Sequence, residues 1–322
     1  MIETEYIREG IHSDLVLESA EMFQQSAKKK MNLPIQEYQR GPVTVTEVRI
    51  TEEEQVRVLK RKKGTYITLY ADELKGDQES VHEAAAILLG EWIRKLLPHQ
   101  SRNILIAGLG NAAASPDALG PDAVSRVRIN RHLLMEAGDG VFHEKWMISS
   151  IVPGVMAQTG LETAEILNSI TGHFHPDVII VIDALAAGSV TRLGTTIQIT
   201  DTGISPGSGI GNTRQEISRD TMGVPVIAIG VPMVVEAASI IYETTLAIRH
   251  VLEQHQNQNG KDFLKNLNKE EQIQLFRELL EQKANPLYVT VKDIDEMEKR
   301  MAETVAEGVN RAFDQKKETS FE

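Results

Sequence analysis

The chain changes its hydrophobic rhythm many times, and each change predicts an element. From Leu15 to Lys30 the apolar positions Leu17, Ala20, Phe23 and Ala27 follow helical spacing, and Lys28-Lys29-Lys30 fall in the last turn, where cations suit the helix dipole. Gly41-Pro42 punctuates. Val43–Ile50 and Thr65–Tyr70 are rich in β-formers with polar residues alternating through them. They predict two strands, antiparallel and partly exposed, on either side of the charged stretch 51–64. Gln78–Leu97 carries Val81, Ala85, Leu88, Leu89, Trp92 and Leu96 on one helical face, and Pro98 stops it. Asn103–Ala107 is a short continuous apolar run, the mark of a buried parallel strand.

The alternation continues. A helix is expected around Asp122–Glu136, a strand at Trp146–Val152, a helix at Leu161–Ile170 and a strand at Asp177–Ile182. Thr195–Thr200 and Val224–Val231 predict two more strands, and Pro232 opens a helix reaching about His255. Strand and helix alternate from residue 78 to 255, which argues for an α/β fold: a mostly parallel twisted sheet sandwiched by helices. Residues 1–14 hold few apolar groups and read as an arm, and the polar run 256–261 reads as a linker. Amphipathic helices are expected at Lys269–Lys283 and Asp293–Phe313. The division is an arm (1–14), an α/β core with an N-terminal β elaboration (15–260) and a C-terminal helical extension (261–322).

Composition narrows the chemistry. The 322 residues include no cysteine, which removes thiol catalysis, disulfides and thiolate metal sites. A net charge of −12 makes direct nucleic-acid binding unfavourable. Met1–Gly10 is polar and charged, unlike a signal peptide, and no apolar run reaches membrane-spanning length. The expectation is a soluble, intracellular protein with no membrane partner.

Two aspartates hold matched positions. Asp117 lies in the loop after Asn103–Ala107, past Gly108-Leu109-Gly110-Asn111. Asp183 follows Val178–Ile182 and precedes the small-residue run Ala184-Leu185-Ala186-Ala187-Gly188. In open α/β sheets, sites form beyond the carboxyl ends of the strands. If the two strands are neighbours, the carboxyls converge, one keeps its proton, and the pair can activate water and protonate a leaving amine. Read individually, Asp117 caps the next helix and Asp183 caps a turn. Gly108, Gly110, Asn111, Gly207 and Gly209 are candidates for backbone contacts in the site loops. Asp201-Thr202-Gly203 matches a short aspartic-protease signature but reads as a turn. Gly203-Ile204-Ser205-Pro206-Gly207 matches a nucleophile elbow without the helix that should follow, which leaves Ser205 as the alternative nucleophile. His132, His143, His173, His175 and His250 show no metal-ligand spacing.

GLGN followed by SPDALGP, then PGVMAQTGLET, VIDALAA and SPGSGIGN, resembles the germination proteases of endospore-forming bacteria from about residue 7 onward. The resemblance implies an endopeptidase for small acid-soluble spore proteins at germination, working in the forespore or spore core as a homotetramer. It implies a fold related to the hydrogenase-maturation proteases, and catalytic roles for Asp117 and Asp183. It also implies a zymogen that removes its own arm. Ser13-Asp14-Leu15-Val16-Leu17-Glu18 fits the cleaved pattern, which puts the cut between Asp14 and Leu15, although His12-Ser13 stands where many relatives have Arg-Thr. No cofactor is expected. The maturation proteases place a metal between equivalent acids, so a metal-dependent peptidase remains an alternative, as does a non-enzymatic metal chaperone using the same crevice.

Overall fold

A computed structural model of the chain describes residues 13–26, 33–137, 145–207, 214–242, 244–245, 273 and 288–314. Outside them lie residues 1–12 of the arm, Gly209, the expected linker, the end of the expected helix near His255 and all of Lys269–Lys283 except Ile273.

Nine strands among the described residues form one sheet. They are β1 (Ile35–Arg40), β2 (Val43–Ile50), β3 (Gly64–Tyr70), β4 (Asn103–Gly108), β5 (Met147–Ile151), β6 (Val178–Ala187), β7 (Thr196–Thr200), β8 (Val226–Glu236) and β9 (Tyr288–Val289). The order is β1-β2-β3-β7-β8-β6-β4-β5, with β9 on β8. The half containing β8, β6, β4 and β5 is parallel. From β7 outward through β3, β2 and β1 the pairing is antiparallel.

Among the described residues, the helices with both ends defined are α1 (Val16–Ser26), α2 (Glu53–Leu59), α3 (Glu79–Leu96), α4 (Leu119–Ser125), α5 (Arg131–Ala137), α6 (Met156–Thr159), α7 (Thr163–Phe174), α8 (Arg219–Met222) and α9 (Ile294–Ala312). They cover both faces of the parallel half. Because strand side chains alternate, the run VIIVI in β6 splits in two. Ile180 and Ile182 pack with Ile104, Ile106, Ile229 and the residues of α3 and α9. Ile179 and Val181 pack with Leu105, Ala107 and, from α7 and α8, Leu167 and Met222. Burial on both faces is why this strand reads as continuously apolar, and each such side chain contributes about 1.5–3 kcal/mol by leaving water.

α9 lies along α3 and places Met301, Ala302, Val305 and Val309 in the core. Arg94 of α3 fastens its end: Nε donates to the Ala312 carbonyl at 2.7 Å and Nη2 to that of Arg311 at 2.6 Å. No helix among the described residues is long and apolar enough to cross a membrane.

Four sequence expectations change. The helix expected over Asp122–Glu136 is two, α4 and α5. The Asn130 side chain between them accepts from the Ile148 N–H at 2.7 Å and donates to the Trp146 carbonyl at 3.0 Å, competing with helical backbone bonds. β2 and β3 are mostly buried rather than partly exposed, because β1 takes the sheet edge and helices cover both faces: Val45 and Leu69 pack with α3, Val48 and Tyr66 with α1 and α2. Strand β6 does not stop at Asp183 but runs on to Ala187. Pro232 lies within β8 instead of opening a helix, and helix begins only at residue 237. Pro232 stands opposite Leu185, beside the register shift between Leu185 and Ala186, where a ladder tolerates a residue without an N–H.

Candidate active site

Strand register brings the two aspartates together. Gly108, the last residue of β4, stands opposite Ile182 in the parallel β6. The Leu109 N–H then donates to the Ile182 carbonyl at 2.8 Å, so the chain leaves β4 beside Asp183. The loop closes on itself through a 3-10 turn at Ser115–Asp117. Asn111 N–H donates both to the Asp117 carbonyl at 3.0 Å and to Asp117 Oδ2 at 2.9 Å. Gly110 makes this closure possible. Its φ is +110°, and a Cβ there would collide with the Asp117 carbonyl oxygen. Gly120, at the start of α4, lies so close to the carbonyls of Leu109 and Ile182 that a side chain could not enter.

Asp117 is therefore not a helix cap. The cap position of α4 is Ala118, which makes no side-chain cap bond. Asp183 is 5% exposed and accepts from the Ala184 N–H at 3.0 Å. Burial holds its carboxyl well above the usual range, and the neighbouring charges of Asp117 and Asp14 push it further. Burial raises Asp117 as well, against the Asn111 N–H and the Arg214 cation, which both favour its ionised form. Two carboxyls of unequal proton affinity thus share one cavity of about 310 Å³. Asp14, Arg214, Pro206 and Tyr288 complete its polar and loop walls. The arrangement can hold one proton and one negative charge side by side, the condition for paired acid and base work.

The structure sorts the other candidates. Gly110 and Gly207 line the cavity, Gly108 ends β4, and Asn111 donates to Asp117 as described. Ser205 does not line the cavity, and neither does any histidine among the described residues. Asp201 accepts from the Thr65 N–H at 2.8 Å, a structural bond between a turn and the start of β3. No group of three His, Asp or Glu side chains among the described residues is placed to hold a metal ion. Arg214 also puts a cation in the cavity that a dication would have to face. Among the described residues, the cavity lining therefore does not fit a metal, and no step below passes through one.

Asp14 and Leu15 fall in the same place. Asp14 lines the cavity, and Leu15 is fully buried against Leu185, Ala187, Leu193 and Val235. Nothing in the linear pattern marks Arg214, a single basic residue after a glycine-rich run. Nor does it single out Gln198, a polar residue in a run of β-formers.

Comparison with known proteins fixes the family. A sequence model described as germination protease matches residues 11–263. The chain belongs to the germination protease family. The germination protease of Caldanaerobacter subterraneus subsp. tengcongensis is 38% identical over 310 residues, spanning 94% of each chain. The germination protease of Clostridium tetani is 35% identical over 311 residues, covering 94% of this chain and 95% of its own. That of Priestia megaterium is 35% identical over 347 residues, covering 94% of each. Among solved structures, a NiFe hydrogenase maturation protease from Thermococcus kodakarensis aligns with a TM-score of 0.30 at 16% identity, covering 68% of this chain and 98% of its own. Membership in the germination protease family makes the chain a peptidase, and the cavity around Asp117 and Asp183 is its candidate active site.

Proposed function

We propose that this chain is the endopeptidase that degrades small acid-soluble spore proteins at germination. On this reading it is made as a zymogen that cuts itself between Asp14 and Leu15, acts in the forespore or spore core, and assembles as a homotetramer. One observation carries the zymogen reading: residues 13–18 lie along the candidate active site as a substrate would. The Asp14 N–H donates to the Ala186 carbonyl at 2.9 Å, and Asp14 Oδ2 accepts from the Ala186 N–H at 2.9 Å. Leu15 fills the apolar pocket, and Glu18 Oε2 accepts from the Gly188 N–H at 2.7 Å and from the Ser13 hydroxyl. An acid, an apolar residue and a second acid each meet a matching surface. Asp14 meets β6 through its backbone, the segment turns into α1 at Val16, and the contacts of the Asp14, Leu15 and Glu18 side chains supply selectivity.

Asp183, the more buried of the pair, holds the proton, and Asp117 carries the charge. Asp117 takes a proton from water, whose oxygen adds to the Asp14 carbonyl carbon. Asp183 gives its proton to the Leu15 nitrogen as the C–N bond breaks. The products are a carboxylic acid at Asp14, which returns a proton to Asp183, and an amine at Leu15, which takes up the proton held by Asp117, so the pair is restored. Each proton transfer of this kind is worth about 10²–10⁴ in rate. The test is intact mass after incubation at mildly acidic pH, wild type beside Asp117→Asn and Asp183→Asn. Loss of the first fourteen residues in wild type alone is expected. Loss in all three would overturn the aspartate mechanism.

A further inference from the structure

Gln198 lies in β7, 7% exposed, and its partner across the β7–β8 pair is Gly230. On its other side Gly230 is the partner of Asp183 in β6. Directly paired residues present their side chains to the same face of a sheet. Asp183 and Gln198 therefore face the same way, one strand apart, with a glycine between them. The polar group of Gln198 is spent on the arm. Its Oε1 accepts from the Val16 N–H at 2.8 Å, and its Nε2 donates to the Asp14 carbonyl at 3.1 Å. The side-chain amide thus binds the backbone on both sides of Leu15 as a neighbouring strand would. Its single donor bond falls on the carbonyl oxygen of the Asp14–Leu15 peptide.

We propose that Gln198 is a catalytic residue of the peptidase: its Nε2 aligns the scissile carbonyl and stabilises the negative charge that forms on that oxygen when water adds. The inference rests on reading Asp14–Leu15 as the scissile bond. Water addition turns the carbonyl oxygen into an oxyanion, and collapse of that adduct expels the Leu15 nitrogen with the proton from Asp183. A preorganised neutral donor at that position costs no rearrangement as the charge develops, and removal of one such donor typically lowers kcat about 10²–10³-fold. A glutamine serves here where a glutamate cannot. A carboxylate would still accept from Val16, but it would offer no donor to the Asp14 oxygen and would place like charge beside it. Asp117 and Asp183 supply and remove protons, whereas the oxygen between those transfers needs a partner of its own.

The experiment measures self-cleavage of the full chain by intact mass. It also measures steady-state hydrolysis, by the processed enzyme, of a synthetic peptide carrying the sequence around Asp14–Leu15. The proteins are wild type, Gln198→Ala, Gln198→Glu and Asp183→Asn, with thermal melts to establish that each is folded. Both Gln198 variants are expected to lose about 10²–10³ in kcat with KM little changed. Gln198→Glu, which keeps the size and the acceptor, should be no better than Gln198→Ala. A raised KM at unchanged kcat, near-normal activity of Gln198→Glu, or wild-type rates in Gln198→Ala would each overturn the proposal while a dead Asp183→Asn leaves the aspartate mechanism standing. Wild-type cleavage at a bond other than Asp14–Leu15 would also overturn it. A fully active Asp183→Asn would instead overturn the aspartate mechanism, and the kcat of the Gln198 variants would still judge Gln198.

Discussion

Gly108 stands opposite Ile182 across the β4–β6 pair, so the loop bearing Asp117 leaves its strand one residue before Asp183 on the neighbouring strand. The pairing of the two acids is thus a consequence of parallel register. The glycines at 110 and 120 let the loop and α4 close onto the strands, and both acids line the shared cavity.

The unequal proton affinities predict a rate that falls on both sides of an optimum. Activity drops at high pH as Asp183 loses its proton, and at low pH as Asp117 gains one. Arg214 favours the charged form of both groups. Arg214→Gln should therefore raise both proton affinities and move the whole profile toward higher pH. A pH–rate series of self-cleavage for the two proteins checks this, and an unmoved acid limb would count against it.

Gly110→Ala should leave the fold largely intact and cripple the site. The φ of +110° and the approach to the Asp117 carbonyl both oppose a methyl group. Strain of this kind costs about 1–3 kcal/mol, and relief requires the Asp117 loop to shift. Melting temperature should fall by a few degrees while peptide cleavage falls at least about tenfold, since small displacements of catalytic groups are costly.

Leu15→Ala should weaken docking of the arm. Leu15 is fully buried in a pocket of four apolar side chains, and truncation of such a leucine costs about 2–5 kcal/mol. Self-cleavage is expected to slow by at least about tenfold, while hydrolysis of an external peptide that still carries leucine proceeds at least as fast as with the wild-type processed enzyme, whose own Leu15 competes for the pocket. Time courses of both reactions separate the two.

On α9, which packs against α4 and the turn bearing Asp117, Glu298 is buried, and its carboxyl is pushed up to about 7 by burial and the nearby Asp122, against the cations Arg126 and Lys299. A carboxyl raised on folding favours the folded state below its unfolded value, near 4.3, and loses that contribution as pH climbs through the folded value. Stability should fall between about pH 4.5 and 7 for this reason, and Glu298→Gln should flatten that part of the curve. Melting temperatures across this range, compared between the two proteins, measure the effect.

The sequence made the aspartate pair legible because each acid follows an apolar run that only a doubly buried strand produces. It also made α3 and the alternating core legible, since their periodicity is strong. Other features were hidden by physics that a linear pattern does not carry. β1, IQEYQR, is an exposed edge strand whose backbone bonds to Val43–Ile50 define it, while its side chains show little pattern. Pro232 reads as a helix opener, yet the irregular register at Leu185 lets it remain in β8. Gln198 looks like an ordinary solvent-facing residue until the arm is seen to cover it. Arg214 is a lone basic residue in the sequence, marked only by its place in the cavity lining.

The burial of Leu15 has a temporal consequence. Cutting the chain before Leu15 would not release it, because α1 begins at the next residue and keeps it tethered over the pocket. The first reaction would be a single turnover, unimolecular and indifferent to protein concentration. Its product would then compete with every later substrate from the same molecule, at the high local concentration that a tether imposes. The interval between self-cleavage and attack on other chains would be set by how fast α1 lifts away, which makes the arm's own remnant a delay element.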